Sequence, residues 1–228
     1  ENTGASDVEM DPTNPDIVYA GLWQSRLGPS EDNNSFAGTD GGLFKSSDGG
    51  TTWKRVGKGL PDDLVQINLA ISPSQTSRLY ATISTTKPSK YASDAGLGFY
   101  RSDDAGENWY KVTTDPRPAM KIGGGDLAIP RVDPKNADVV YSASIVLVRS
   151  EDGGKTWNCQ FAERGRHLFA LDFVNQKTGF ASGERGYLLK TTDGGKHWIN
   201  LPTTGTLDWL YGMTFRDENT GFAVGLNG

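Results

Sequence analysis

What this chain has little of narrows its chemistry first. One cysteine, Cys159, stands in 228 residues, so no intramolecular disulfide can form, and the redox compartment is left open. Two histidines, His167 and His197, are too few for a metal constellation or for a Ser/His/acid triad to be argued. We therefore expect no metal and no cofactor. No apolar run approaches the roughly 20 residues that a membrane-spanning helix needs. The net charge is -5 with both signs mixed along the chain and no basic stripe, so nucleic acid is not an expected partner. The chain opens at Glu1, without an initiator Met or a signal-peptide pattern, which fits a processed or truncated N-terminus.

What is present is repetition. The 29 glycines and many short apolar runs argue for an all-β domain with tight turns. One turn occurs four times, as SSDGGTTW (46–53), SDDAGENW (102–109), SEDGGKTW (150–157) and TTDGGKHW (191–198). All four fit hydroxyl-x-Asp-x-Gly-x-x-Trp. Trp53, Trp109, Trp157 and Trp198 follow one another at 56, 48 and 41 residues, the period of propeller blades built from four antiparallel strands. The strand pattern repeats with them. IVYAGLW, RLYATIS, VVYSAS and FASG follow Pro-, Asn- or Ser-containing turns, and GLFKS, GFYRS, VLVRS and YLLKT lead into the repeated turn. The blades are expected near 6–56, 66–113, 126–162 and 167–202, with a partial one over 208–228. Pro130 weakens the strand reading of DLAIPRV, because proline removes a ladder donor. Four blades and half of a fifth leave too little at the N-terminus to complete the last sheet. The expected architecture is a portion of a larger β-propeller, with a five-bladed ring carrying a defective last blade as the alternative.

The chemistry of the turn explains its residues. Asp48, Asp104, Asp152 and Asp193 can accept hydrogen bonds from their own turn. Gly50, Gly106, Gly154 and Gly195 can take a positive φ. Ser46, Ser102, Ser150 and Thr191 can cross-link the turn, and the four tryptophans can anchor it between sheets. These are structural roles. Asp103-Asp104 and Glu151-Asp152 cluster acids, but without the alternating oxygens of a calcium loop.

Strand order then selects a face. The repeated turns share one face with the turns between the first and second strands. The opposite face carries long connections over 24–40 and 85–97, together with residues 116–118, 121–126 and 163–167, and long loops on a rigid scaffold are where binding sits. The candidates on that face are Arg26, Arg117, Arg164, Arg166, His167 and Arg185, since arginine forks suit carboxylates, sulfates or acidic partner residues. Carboxylates are also present there, with Asp126 and Glu163 the candidates if two acids flank a glycosidic bond. No spacing singles out a pair.

The repeated turn is identified as the Asp-box, or BNR repeat. Residues 4 to about 160 resemble secreted bacterial BNR proteins of the sortilin-like type, often labelled glycosyl hydrolases, through GASDVEMDPTNPDIVYAGLWQ, GLFKSSDGGTTWKRVGKGLP, GFYRSDDAGENWYKV and RVDPKNADVVYSAS. The last third looks more like the photosystem II stability and assembly factor, through FVNQKTGFASGERGYLLKTTDGGKHW and MTFRDENTGFAVG. The resemblance implies a secreted, periplasmic or cell-surface setting. In the second family, arginines on the propeller contribute to partner binding, which suits Arg164, Arg166 and Arg185. The expectation from residues and resemblance together is a non-catalytic binding or assembly propeller with a protein or carbohydrate partner. A glycoside hydrolase, sialidase-like or xyloglucanase-like, is the alternative. The Arg-Ile-Pro type motif of a sialidase N-terminus is absent, since Ala128-Ile129-Pro130-Arg131 has the wrong order.

Overall fold

A computed structural model describes residues 3–26, 35–86, 96–122, 126–202 and 207–225. Four antiparallel sheets of four strands follow one another along the chain in simple sequential order. The first holds β1 (Thr3–Met10), β2 (Val18–Arg26), β3 (Ser35–Ser46) and β4 (Lys54–Val56). The second holds β5 (Leu64–Ile71), β6 (Leu79–Thr85), β7 (Leu97–Ser102) and β8 (Tyr110–Lys111). A small hairpin of β9 (Lys121–Ile122) and β10 (Asp126–Leu127) leads into the third, made of β11 (Ile129–Asp133), β12 (Asn136–Ala143), β13 (Leu147–Ser150) and β14 (Asn158–Phe161). The fourth holds β15 (Leu168–Phe173), β16 (Gly179–Gly183), β17 (Leu188–Thr191) and β18 (Ile199–Asn200). A two-stranded sheet, β19 (Leu210–Asp217) with β20 (Thr220–Gly225), comes last. The arrangement is an all-β propeller of four blades plus this extra sheet.

The first strands of successive sheets, with the short β10 between the second and third, are stitched into one arc by polar side chains. Leu69 N donates to Asp7 Oδ2 at 2.6 Å, and Asn68 Nδ2 donates to Leu127 O at 3.1 Å. Arg131 Nε donates to Leu171 O at 3.0 Å, and Phe215 N donates to Asp172 Oδ2 at 2.8 Å. Each bond crosses from one sheet to the next. These side chains satisfy backbone groups on inner edge strands that have a ladder neighbour on one side only.

The same edge position resolves the proline. Pro130 lies within β11 and is paired with Ser142, so the strand forms despite it. The strand is the inner edge of its sheet, where one ladder face needs no donor. Two other expectations shift. Residues 121–126 were expected as a loop, but their ends pair as β9 and β10. The connection expected over 24–40 is shortened from both sides, because β2 runs to Arg26 and β3 starts at Ser35. Residues 27–34 and 87–95, the middles of the two long connections, lie outside the described residues.

The core consists of seams between neighbouring sheets. A tyrosine on the second strand of one sheet reaches into the next: Tyr19 Oη donates to Ala105 O at 2.9 Å, Tyr80 Oη to Ala137 O at 2.7 Å and Tyr141 Oη to Gly194 O at 2.8 Å. The tryptophan of the next sheet's turn packs into the same seam, Trp109 with Tyr19 and Trp157 with Tyr80 and Phe99. At the fourth sheet the tyrosine is replaced by Phe180, whose ring stacks on Phe215 at 3.6 Å. Cations line the seams as well. Lys45, Arg149 and Lys190, each just before the turn's hydroxyl residue, lie over the rings of Tyr19, Tyr141 and Phe180.

At the two ends of the arc these same positions are open. Trp53 is 43% exposed, against 4% for Trp109 and 5% for Trp157. Phe222, in the register position of Phe180, is 73% exposed against 2%. The expectation that every repeated tryptophan is sandwiched between sheets is thus corrected for Trp53, because no sheet precedes its own among the described residues.

Candidate functional site

The four repeated turns are structural, and their bonding is nearly identical. In each, the Ser or Thr hydroxyl donates to the Asp carboxylate, at 2.8 Å for Ser46, 2.9 Å for Ser102, 2.8 Å for Ser150 and 2.9 Å for Thr191. The same hydroxyl accepts from the glycine N–H two residues past the Asp. The indole Nε1 donates to that glycine's carbonyl. One contributor escaped the sequence reading. The residue before the tryptophan donates twice to the carboxylate, once from its backbone and once from its side chain, whether it is Thr52, Asn108, Thr156 or His197. The signal was present, since the residue at all four positions carries a hydrogen-bonding side chain.

These bonds hold all four carboxyls below their ordinary range. The Thr52 hydroxyl and backbone bring Asp48 down to about 2. Asn108 lowers Asp104, and the His197 backbone and ring lower Asp193. For Asp152, burial acts the other way but is outweighed by Thr156. Acids so committed are held as anions within their own turns. His197, one of the two histidines, is thereby used up in a turn. The glycine requirement is also real. Gly50, Gly106, Gly154 and Gly195 all have φ between 77° and 90°, and the residue before each, Gly49, Ala105, Gly153 or Gly194, donates its N–H to the carbonyl of Asp16, Ser77, Asp138 or Lys177 in the same sheet.

The opposite face is where side chains remain available. The starts of the five inner strands converge there on a cavity of about 170 Å³ lined by Ser6, Gln66, Asn68, Leu127, Phe169 and Tyr211 among others. A ridge built from three chain segments overlooks it. Glu184 N donates to His167 O at 3.0 Å, and His167 Nδ1 lies 2.8 Å from Glu184 Oε1. Gly186 N donates to Asp208 O at 2.6 Å. Tyr187 Oη donates to Glu163 Oε2 at 2.7 Å, with Arg166 over the Tyr187 ring and 3.7 Å from Glu163. Burial, then Glu163 beside it, pushes the Tyr187 hydroxyl up to about 12, so it stays a donor.

The sequence candidates sort clearly on this geometry. Arg164, Arg166, His167 and Arg185 come together on the ridge. Arg166 is paired with Glu163, and His167 is bonded to Glu184. Arg164 and Arg185 are exposed and have no carboxylate partner among the described residues. Arg185 also holds a left-handed backbone, φ 56° and ψ 41°, unusual for a residue with a Cβ. Arg117 is elsewhere engaged, with its guanidinium on Asp115 and Trp157 O at 2.7 Å. Glu163 is committed to Tyr187 and Arg166. The side chains of Arg26 and Asp126 lie outside the described residues.

Sequence reading missed the aromatics of the ridge. Phe169, Trp209 and Tyr211 form one cluster, with Phe169 stacked on Trp209 at 5.6 Å and 4.9 Å from Tyr211. Phe169 is buried, while Trp209 is 40% exposed. They come from two sheets, so no local spacing announces them.

At the other end of the channel the inner strands close on a cavity of about 280 Å³ lined by Glu9, Arg131 and Asp172 together with Pro12, Pro73 and Pro134. Arg131 Nη1 is 3.5 Å from Glu9 Oε1. Burial there pushes Glu9 up to about 7, against the pull of Arg131. Among the described residues no three His, Cys, Asp or Glu side chains gather into a metal cluster. Among the described residues no helix is long and apolar enough to cross a membrane.

Fold and site together define a β-propeller whose blades meet through Asp-Gly-Trp turns, with an arginine-bearing, aromatic ridge at one channel mouth. Its relatives divide between two kinds of protein. The chain is 27% identical to a xyloglucanase of a Paenibacillus species over 179 residues, which is 68% of this chain and 16% of that protein. It is 29% identical over 86 residues to the photosystem II assembly lipoprotein Ycf48 of Synechococcus sp. (strain CC9902), covering 36% of this chain and 25% of that one. Among solved structures, the GH74 xyloglucanase from Xanthomonas campestris matches 93% of this chain and 33% of its own, with a TM-score of 0.66 at 19% identity. The GH74 enzyme of Niastella koreensis matches 92% of this chain with a TM-score of 0.65. At these identities the structural likeness speaks for the fold alone. No family model matches the chain. The chain spans about a sixth of the length of the xyloglucanase it resembles and a third of the solved one.

Proposed function

We propose that this chain is a non-catalytic binding or assembly propeller that holds a protein or glycan partner on the face opposite the repeated turns. The observation that carries this is the ridge at the channel mouth. It offers exposed aromatics and two guanidiniums, of Arg164 and Arg185, that have no carboxylate partner among the described residues, while Glu163 and Glu184 are taken up by internal bonds. Exposed Trp, Tyr and Arg on rigid elements are the residues that concentrate binding energy. The resemblances imply a secreted, periplasmic or cell-surface setting, and we carry that forward as part of the proposal.

The test is a binding screen with the purified chain against soluble glycans and acidic peptides, read by calorimetry. Binding lost on Trp209→Ala together with Arg164→Ala supports the reading. Binding that ignores both variants places the partner elsewhere and refutes it. The similarity to xyloglucanases over two-thirds of the chain favours a second reading, a glycoside hydrolase of xyloglucanase-like type acting on extracellular glycans. Reducing-sugar release from xyloglucan, abolished in Glu163→Gln, is the result that would establish it over binding alone.

A further inference from the structure

The ridge has a geometry more specific than a generic sticky surface. Trp209 has one indole face supported by the buried Phe169 ring, at 5.6 Å and 22° between planes, while a large part of the residue remains open to solvent. A ring braced on one side is already oriented, so a flat apolar surface laid on its other side costs little ordering entropy. Tyr211 flanks it at 6.1 Å in an edge-to-face arrangement, and Tyr211 also lines the mouth cavity with Ser6, Gln66 and Asn68. An apolar platform beside a cavity edged by the Gln66 amide and the acceptor oxygens of Ser6 and Asn68, whose donors are spent on backbone carbonyls, matches a ligand with one C–H face and a rim of hydroxyls, which is a pyranose ring.

The charge is equally particular. The chain as a whole is acidic, at -5, and on the ridge Arg164, Arg166 and Arg185 face Glu163, Glu184 and Asp208, but Arg164 and Arg185 have no carboxylate partner among the described residues. They are not on loose ends. The segment of Arg164 is tied to that of Arg185 through the His167 and Glu184 bonds, and that of Arg185 to Asp208, next to Trp209, through Gly186 N. Arg185 keeps its place at the cost of a left-handed backbone, the kind of strain that gathers at ligand-holding positions. A guanidinium fork held this way suits a carboxylate.

We propose that the ridge is a subsite for an acidic oligosaccharide, with a uronate pyranose stacked on Trp209 and its carboxylate met by Arg185, Arg164 serving a neighbouring acidic residue of the same glycan. This rests on the binding-propeller reading and gives it a ligand class. Association should weaken with salt, because the exposed charges are screened.

The experiment is calorimetric titration of the chain with a galacturonic acid hexamer, a neutral xyloglucan oligosaccharide of similar length, and poly-glutamate. Three variants accompany it: Trp209→Ala, Arg164→Ala and Arg185→Asn, the last because Asn tolerates a left-handed backbone. Unchanged melting temperatures establish that each variant is folded. The expected result is binding of the hexamer, at least tenfold weaker for Trp209→Ala and for Arg185→Asn, and weaker again at high salt. Equal affinity for the neutral sugar overturns the acidic assignment and leaves the binding-propeller reading standing. Poly-glutamate bound as well as the hexamer, with no loss on Trp209→Ala, overturns the glycan and leaves a peptide-binding propeller. Binding of none of the three overturns the proposal and removes the ridge as evidence for the wider reading.

Discussion

Trp157 and Trp53 occupy the same place in the same repeated turn, and the structure says their removal will not cost the same. Each donates Nε1 to a glycine carbonyl, at 2.8 Å for Trp157 and 2.9 Å for Trp53, so each loses one hydrogen bond, the buried one of Trp157 at the greater cost. Packing differs as well. Trp157 is 5% exposed and meets Phe99 edge-on at 4.8 Å in the seam between the second and third sheets, while Trp53 is 43% exposed. The gap is about two-fifths of a side chain that buries up to ~250 Å², or ~95 Å², worth ~2.4 kcal/mol at ~25 cal/mol per Å². Trp157→Ala is therefore expected to cost ~3–5 kcal/mol, the usual range for a large aromatic removed from a core, and Trp53→Ala ~1–2 kcal/mol. Urea denaturation of both variants, followed by far-ultraviolet circular dichroism and compared at equal slope, reads the difference. Equal losses would refute the reasoning and show that the tryptophan acts through its own turn, not through the seam.

Further consequences follow from the same geometry. Glu9 is pushed from 4.5 up to about 7, so between those values the folded chain keeps a proton that the unfolded chain releases, and stability falls as pH rises through that window. The effect is at most ~3 kcal/mol, reduced because 27% of the side chain reaches solvent. Melting temperatures of Glu9→Gln minus wild type should therefore grow from pH 4.5 to pH 8, and a flat difference sinks the idea. The turn carboxyls do the reverse. Asp48, Asp104, Asp152 and Asp193 are lowered from 3.8, so their stabilisation is complete above that value and is lost as pH falls below it. Asp104→Asn should flatten part of the acid limb of the melting curve, and an unchanged limb would count against it. Tyr141→Phe removes a buried donor to Gly194 O and should cost ~1–2 kcal/mol in the same urea assay. A cost near zero would mean that water or another donor replaces it.

The sequence alone determined the repeat and, through it, the architecture, because the turn is a local object. Asp152, Ser150, Gly154, Thr156 and Trp157 lie within eight residues and satisfy one another's hydrogen bonds whatever the rest of the chain does. The same locality made the count of four sheets plus a partial one readable, and the face opposite the turns could be chosen from strand order. Boundaries were less secure where tertiary context lengthens a strand, as at Arg26 and Ser35, or tolerates a proline at an inner edge, as at Pro130. The site was only half visible. ERGRH (163–167) announced its arginines, but nothing in that pentapeptide says that Arg166 is occupied by Glu163 and Arg164 is not, since Tyr187 sits 24 residues away from the Glu163 it binds. The aromatic platform was invisible, because Phe169 and Trp209 meet only when the fourth sheet is laid against β19. Packing between sheets has no sequence period, so the tertiary structure alone decided which side chains are spent and which are left to bind.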